Sequence, residues 1–172
     1  MRKVPKVIDE KTFNKLIKNM TKKYKLACKL MFYAGLRVSE VCRLRKRDID
    51  LKRMLIFIER SKYLRNRYVP IDEKNLLYDL IEFMKGKKDD DFIINTKPNL
   101  LWYNIKYHAK KIGLGDIHPH TLRHSFATRL LERGFTIIEV QQLLGHSNVA
   151  TTQVYLHTSF TSIREKWKKI VG

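Results

Sequence analysis

Cysteine is scarce in this 172-residue chain, and long apolar runs are absent. The two cysteines, Cys28 and Cys42, lie in apolar helical segments, so we interpret both as buried thiols of a reducing compartment and not as a disulfide. No run approaches the ~20 apolar residues of a membrane span, and residues 1–3 are not followed by the apolar core of a signal peptide. These absences predict a soluble, cytoplasmic protein without a membrane partner.

Acidic residues are also few. The chain has 17 Asp and Glu against 36 Lys and Arg, which gives a formal charge of +19 and a sequence pI near 10.0. A lysine-rich surface with ion-pair networks, as in thermophilic proteins, is the alternative explanation, but such networks need more acids than this chain has. A folded domain with this excess of positive charge is expected to bind a polyanion, DNA or RNA.

Clusters of metal ligands are missing as well. The three adjacent acids at 89–91 point in different directions, whereas a hard-cation site needs ligands that converge from spaced positions. His118, His120 and His124 lack the spacing of a tetrahedral site, and no acid or thiolate lies near them in the sequence. We therefore predict a solvated acidic loop and no metal site.

Apolar periodicity and capping residues predict a mainly helical chain. The predicted helices are one capped by Asp9, 24–34 ended by Gly35, 38–44, one between Asp72 and Gly86, 99–112, 120–133, 136–144, 149–155 and 162–170. Two β-rich runs, 54–58 and 67–71, predict a hairpin with a basic loop over 61–66. Residues 92–94 predict an edge strand or a buried linker. The fold class is thus mainly α with a small antiparallel sheet (α+β), in one domain over 1–172.

The last third of the chain carries residue types suited to phosphodiester chemistry. A tyrosine phenolate can attack phosphorus, while histidine and arginine hold the developing negative charge. On a helical wheel that begins at Pro119, both His120 and Arg123 fall on the apolar arc, so we expect both to face inward. His146 follows a helix-ending glycine, and Tyr155 ends the segment. Taken singly, each residue has an equally good structural interpretation. His120 is then a core histidine, Arg123 a structural arginine, His146 a loop histidine and Tyr155 a packing tyrosine.

Together, three segments resemble the tyrosine recombinase (phage integrase, Xer-like) family. AGLRVSEVCRL is similar to its first arginine segment, and PHTLRHSFATRLLERG is similar to its His-x-x-Arg helix. VQQLLGHSNVATTQVYLH resembles the segment with its second histidine and its tyrosine nucleophile. The match extends from residue 34 to residue 172, in the family's order and spacing. It implies the catalytic-domain fold of the family and a site-specific recombinase or integrase that cuts and rejoins DNA.

The resemblance also implies roles for individual residues. Tyr155 would be the nucleophile that forms a 3′-phosphotyrosyl link and frees a 5′-hydroxyl. Arg37 and Arg123 would hold the non-bridging oxygens of the scissile phosphate, for which the guanidinium fork is suited. His120 would accept the tyrosine proton, and His146 would donate to a phosphate oxygen. Because the phosphotyrosine conserves the bond energy and the centre is cationic, no cofactor is implied.

Supporting roles fall to residues nearby. Glu40, three residues after Arg37, would orient the arginines, and Lys62 in the hairpin loop would protonate the leaving 5′-oxygen. The family's usual Gly-Lys-Gly is Ser-Lys-Tyr here, and Arg65 is the competing cation, although a guanidinium is a weak acid. We expect Arg65, Arg67 and His124 to contact DNA.

The resemblance makes double-stranded DNA the expected partner and a tetramer on DNA the expected assembly. The C-terminal helix is similar to the family's tail, which docks on a neighbouring protomer. The family's usual N-terminal DNA-clamping domain is absent from the 172 residues. The alternatives are a type IB topoisomerase that relaxes supercoils, a DNA-binding module without catalysis, and a metal-dependent nuclease.

Overall fold

The computed structural model describes residues 7–59, 66–115, 117–145 and 156–171. In the range 156–171, side chains are described from residue 162 onward. It consists of helices and a three-stranded antiparallel sheet, which confirms the predicted α+β class. The helices are α1 (Glu10–Ile17), α2 (Lys22–Tyr33), α3 (Val38–Arg43), α4 (Tyr78–Met84), α5 (Pro98–Lys111), α6 (Pro119–Glu132), α7 (Ile137–Leu144) and α8 (Leu156–Ile170). The strands are β1 (Ile49–Asp50), β2 (Leu55–Ile58) and β3 (Arg67–Pro70). The predicted helix 149–155 lies outside the described residues.

Helix ends follow the local rules that the sequence suggested. The Asp9 carboxylate accepts a hydrogen bond from the Thr12 amide at 2.8 Å and caps α1. Asp72 accepts one from the Asn75 amide at 3.0 Å, and the turn that it caps is a π-helical turn that leads into α4. Gly35 has a φ of +65° and turns the chain away from the axis of α2 just after that helix ends. A residue without Cβ adopts this conformation at low cost.

The hairpin prediction is confirmed, and β1 adds a strand that we did not predict. Strand β2 pairs with β3 in the register Ile56 to Val69 and Ile58 to Arg67. On its other edge, Ile56 pairs with Ile49 of β1. Because β1 has two residues, it is too short to show an alternating pattern in the sequence.

The hydrophobic core has two parts that meet at α6. The larger part is formed by α1, α2, α5 and the inner face of the sheet, and it includes Phe13 stacked on Phe32 with ring centroids 4.0 Å apart. The smaller part lies between α6, α7 and α8. Its buried members are Phe126, Leu130, Phe135, Val140, Leu143, Leu144, Ile163, Trp167 and Val171. Helix α6 therefore supports both parts of the core.

Helix α8 begins at Leu156, six residues before the predicted start at 162. It packs on its own chain, with the Trp167 ring 6.2 Å from the ring centroids of both Phe126 and Phe135. Lys166 adds an ion pair to Glu139 on α7 at 3.0 Å. In this structure the terminal helix thus covers the α6–α7 face of the same protomer.

The acidic loop at 89–91 is exposed, as predicted, and it also contacts the arginines that precede β1. The Arg45 guanidinium donates to the Asp90 carbonyl oxygen, and Arg47 forms an ion pair with the Asp90 carboxylate. Phe92 makes a single β-bridge with Arg45, while Ile93 and Ile94 are buried. Ile93 and Ile94 therefore form a buried linker, which is one of the two predicted alternatives, while Phe92 is 39% exposed.

Candidate active site

The candidate site begins where α2 ends and α3 starts. After the turn at Gly35, Arg37 is the N-terminal cap of α3 and its backbone N–H donates to Glu40 Oε2 at 2.7 Å. Its Nη1 also donates to Glu40 Oε1 at 3.1 Å. One third of the Arg37 side chain is exposed, against a tenth of Glu40. The cap therefore fixes the carboxylate inside and leaves part of the guanidinium at the surface.

Glu40 is surrounded by arginines from three different elements. Arg67 on β3 binds it through two parallel hydrogen bonds, Nη1 to Oε1 and Nη2 to Oε2, both of 2.8 Å. Arg123 on α6 places its Nη1 3.9 Å from Oε2. Together with Arg37, three guanidinium groups share one carboxylate, which leaves a local charge of +2. Such a cluster attracts an anion.

The ionisation of Glu40 follows from these partners. Burial by itself raises the pKa of the carboxyl, but the hydrogen bonds and charge of Arg67, the backbone N–H of Arg37 and the charge of Arg123 outweigh it. They lower the pKa of Glu40 to about 2. The carboxylate is therefore charged throughout the physiological pH range and accepts hydrogen bonds only.

Arg123 is held by backbone atoms of two distant segments. Its Nη1 donates to the Gly35 carbonyl oxygen in a short hydrogen bond, and its Nη2 donates to the Leu144 carbonyl oxygen at 2.7 Å. Leu144 is the last residue of α7, which ends at Gly145 with a φ of +65°. The predicted inward orientation of Arg123 is confirmed, since only 7% of the residue is exposed.

The predicted inward orientation of His120 was wrong, because its side chain is exposed. The buried face of α6 includes Thr121 and Ser125, each 1% exposed, whereas the apolar Leu131 is 43% exposed. Ser125 is compatible with burial because its hydroxyl donates to the Thr121 carbonyl oxygen and accepts from the Ile8 amide. Because these polar residues are buried, the buried face of α6 is rotated relative to the predicted apolar arc. His120 therefore points to solvent, one turn before Arg123.

His124 lies on the same exposed side of α6. Partial desolvation, and then electrostatic interaction with the neighbouring His120 and Arg123, lower the pKa of its imidazole. The ring is therefore neutral at pH 7, and it would offer a phosphate a hydrogen bond and not a full charge.

Arg67 does not fit the DNA contact that we predicted. Only 6% of its side chain is exposed, and besides the two bonds to Glu40 its Nε donates to the Leu143 carbonyl oxygen at 2.7 Å. The strand pattern contained the signal for this burial, because Arg67 and Val69 share the inner face of β3 while Tyr68 points outward. A buried arginine requires an acid, and Glu40 is that acid.

The part of the chain that the structure describes contains no cluster of three or more His, Cys, Asp or Glu side chains that could hold a metal ion. Within the same residues, no helix combines the length and apolar character needed to cross a membrane.

Comparison with known proteins shows the family and the fold of the chain. Residues 6–162 match the phage integrase family. The chain belongs to this family. As a phage integrase family member, it is 35% identical to the tyrosine recombinase XerA of Pyrococcus horikoshii over 179 residues, which cover 98% of this chain and 62% of that protein. The chain thus spans less than two thirds of the length of that relative.

Solved structures give the same assignment for the fold of this family member. The crystal structure of XerA recombinase superimposes with a TM-score of 0.74 at 28% identity, over 96% of this chain and 65% of that one. The Tn1549 transposon integrase, solved in complex with transposon right end DNA, has a TM-score of 0.69 at 23% identity over 98% and 67% of the two chains. The predicted tyrosine recombinase catalytic-domain fold is confirmed.

The structure brings together some of the site residues expected for a phage integrase family member. Arg37, Glu40 and Arg123 form one cluster, and His120 lies one helical turn from Arg123. Four further residues of the predicted site lie outside the described residues, namely Lys62, Arg65, His146 and Tyr155. Leu144, whose carbonyl binds Arg123, is two residues before His146. The described part is thus the cationic portion of the candidate site.

Proposed function

We propose that this chain is the catalytic domain of a site-specific DNA recombinase or integrase. The observation that carries the proposal is the convergence of Arg37 and Arg123 on Glu40, with a surplus of positive charge beside an exposed histidine. Membership of the phage integrase family and the resemblance to tyrosine recombinases named XerA support it. So does the net charge of +19, which suits a nucleic acid partner.

In the proposed reaction, the oxygen of Tyr155 attacks the scissile phosphorus and the bond to the 5′-oxygen breaks. His120 accepts the phenol proton, and Lys62 gives a proton to the departing 5′-oxygen. Arg37, Arg123 and His146 stabilise the non-bridging oxygens, on which charge accumulates in the transition state. The product is a 3′-phosphotyrosyl link and a free 5′-hydroxyl. Attack of a 5′-hydroxyl on that link reverses the step and rejoins DNA.

The arginines suit this role by their placement. Arg37 is partly exposed and can reach a phosphate, while Arg123 is held more deeply by the Gly35 and Leu144 carbonyl oxygens. Because Glu40 neutralises only one of the three neighbouring guanidinium groups, the cluster keeps charge for the bound phosphate. Double-stranded DNA is the proposed substrate, and assembly into a tetramer on DNA is proposed for strand exchange. We place the reaction in the cytoplasm, and we propose no cofactor.

A covalent trapping experiment tests the proposal. A 5′-labelled pool of nicked duplexes with a randomised central segment loses a short fragment after cleavage, so that rejoining is prevented. The wild-type chain is expected to form a protein–DNA adduct that survives denaturing electrophoresis, and Tyr155→Phe is expected to form none. Absence of an adduct with the wild type, or an equal adduct with Tyr155→Phe, would contradict the proposal.

A second measurement separates strand exchange from DNA relaxation. Supercoiled plasmid carrying two copies of a trapped sequence is expected to recombine between the copies. Relaxation of plasmid without exchange would indicate a topoisomerase. Retained DNA binding without an adduct would indicate a binding module.

A further inference from the structure

Arg67 is the most deeply placed of the three arginines around Glu40, and the reaction proposed above assigns it no role. It begins β3 and pairs across the hairpin with Ile58, so it lies at the base of the loop that contains Lys62. Its side chain is 6% exposed. Its Nε, Nη1 and Nη2 atoms all donate to oxygens of the protein, so we expect it to act through these neighbours.

The hydrogen bonds of Arg67 join three parts of the candidate site. Its two Nη atoms hold both oxygens of Glu40, which in turn caps α3 and contacts Arg37. Its Nε holds the Leu143 carbonyl oxygen at the end of α7. Arg123 holds the next carbonyl, that of Leu144. Two guanidinium groups from β3 and α6 therefore fix the last turn of α7.

That turn leads directly to a proposed site residue. Helix α7 ends at Gly145, and His146 is the next residue. The orphan carbonyls of a helix end need donors, and Arg67 and Arg123 supply them to the last two residues of α7. Arg67 thus contacts Glu40, which binds Arg37, and the helix end that precedes His146 in the sequence, and it belongs to the strand that follows the Lys62 loop.

We propose that Arg67 is a positioning residue of this site, which holds Glu40 and the end of α7 so that Arg37 and Arg123 are aligned for the phosphoryl transfer. The inference rests on the proposed function. The fork geometry is essential to it, because a lysine ammonium is a single point of charge and cannot hold two carboxylate oxygens and a carbonyl oxygen together. Loss of a partner that orients a functional side chain reduces activity by about 10- to 100-fold in metal sites, and we expect a loss of the same order here.

The variants Arg67→Gln and Arg67→Lys test the proposal, with Arg53→Gln as the matched control. Arg53 is largely exposed and pairs only loosely with Asp50, at 3.7 Å. Adduct formation is measured in single turnover with saturating nicked duplex, on the folded fraction determined by circular dichroism. We expect a rate about 10- to 100-fold below the wild type for both Arg67 variants, a DNA dissociation constant within about threefold of it, and no change for Arg53→Gln.

A pH profile adds a readout that mere destabilisation would not change. Glu40 faces Arg37 on α3, Arg67 on β3 and Arg123 on α6. Without the Arg67 charge, burial raises the pKa of Glu40, so the carboxylate gains a proton more easily. The rate of Arg67→Gln relative to Arg53→Gln is expected to fall as the pH is lowered from about 8 to about 5.

Hydrogen exchange gives a readout that is independent of cleavage. In Arg67→Gln, peptides that cover the end of α7 and residue 146 are expected to exchange about tenfold faster, while peptides of α5 keep the wild-type rate. Wild-type cleavage rates for the folded Arg67 variants, or a weaker DNA affinity as their only defect, would overturn the proposal. Unchanged exchange at the end of α7 would also overturn it. Failure of the wild type to form an adduct would refute the proposed function, while the exchange experiment would still decide the contacts of Arg67.

Discussion

Gly35 lies so close to the ring of Phe126 that a Cβ atom at residue 35 would overlap two of the ring carbons. The contact joins the end of α2 to the middle of α6, beside the carbonyl oxygen that accepts a hydrogen bond from Arg123. Glycine is required here for two reasons, the positive φ and the space taken by the ring. The position of Arg123 therefore depends on a residue that has no side chain.

Gly35→Ala is expected to be strongly destabilising. The left-handed conformation costs about 1–2 kcal/mol for a residue with Cβ, and the overlap with Phe126 adds about 1–3 kcal/mol. Urea unfolding of Gly86→Ala gives the matched control, because Gly86 has a φ of +71° and nothing within 4 Å of its Cβ position. If the free energy of unfolding decreases by the same amount in both variants, the close packing against Phe126 is refuted.

Glu40 is expected to make the stability of the protein sensitive to acid. Its pKa falls from 4.5 to about 2 in the folded state, so its contribution is complete above about pH 5 and is lost as the pH falls towards 2. Between about pH 6 and about pH 3 this loss is about 2 kcal/mol. Unfolding free energies of wild type and Glu40→Gln at both pH values measure it. A difference between the two proteins that does not shrink at the lower pH would contradict the ion-pair arrangement. Glu82→Gln, which removes a pair with exposed Lys22, serves as the control.

Trp167→Ala is expected to lower the free energy of unfolding by about 3–5 kcal/mol, because it empties the centre of the smaller core. Trp167 is 3% exposed and contacts rings from α6 and from the segment before α7. Lys168→Ala, at an exposed position of the same helix, should leave stability unchanged. Equal stability of the two variants in urea unfolding would mean that α8 does not pack on this face.

The two free thiols should differ in reactivity. Cys28 is fully buried, and burial raises the pKa of its thiol, whereas Cys42 is partly exposed with a smaller rise in pKa for the same reason. With Ellman's reagent, the native protein is expected to react slowly at Cys42 alone, and both thiols should react in denaturant. Reaction of native Cys42→Ser would show that Cys28 is accessible.

Cleavage is expected to be unaffected by EDTA. The carboxylate of the described site, Glu40, is already bound by guanidinium groups, and the proposed centre stabilises phosphate charge with cations of the protein itself. Adduct formation should therefore be equal with and without chelator, while a magnesium-dependent restriction nuclease on the same DNA loses its activity. Chelator-sensitive cleavage would favour a metal-dependent nuclease.

Local signals in the sequence predicted most elements because their causes are local. Asp9 and Asp72 cap helices within one turn of themselves, and Gly35 ends a helix through its own φ. The orientation of His120 was not predictable from apolar residues alone, because Ser125 is buried through a hydrogen bond with Ile8, which is distant in sequence. Long-range partners of this kind leave no periodic pattern.

The same distinction applies to the candidate site, where some residues were found from the sequence and others were missed. Residue types suited to phosphate binding pointed to Arg37 and Arg123, and the resemblance to the tyrosine recombinase family added Glu40 beside them. The role of Arg67 was missed, although the alternation of β3 indicates that its side chain points inward. The carbonyl oxygens that accept hydrogen bonds from the arginines are set by the packing of α7 against α6. That packing is a property of the folded backbone and leaves no local signal in the sequence.

The acceptors for Arg123, and for the Nε of Arg67, are main-chain oxygens of residues 35, 143 and 144. Side-chain substitution cannot remove a carbonyl, so mutation at positions 143 and 144 leaves these hydrogen bonds available as long as the helix forms. Substitution of Arg67 or Arg123, in contrast, removes the donor itself. This part of the site therefore depends on the path of the backbone, and only indirectly on which side chains stand at positions 143 and 144.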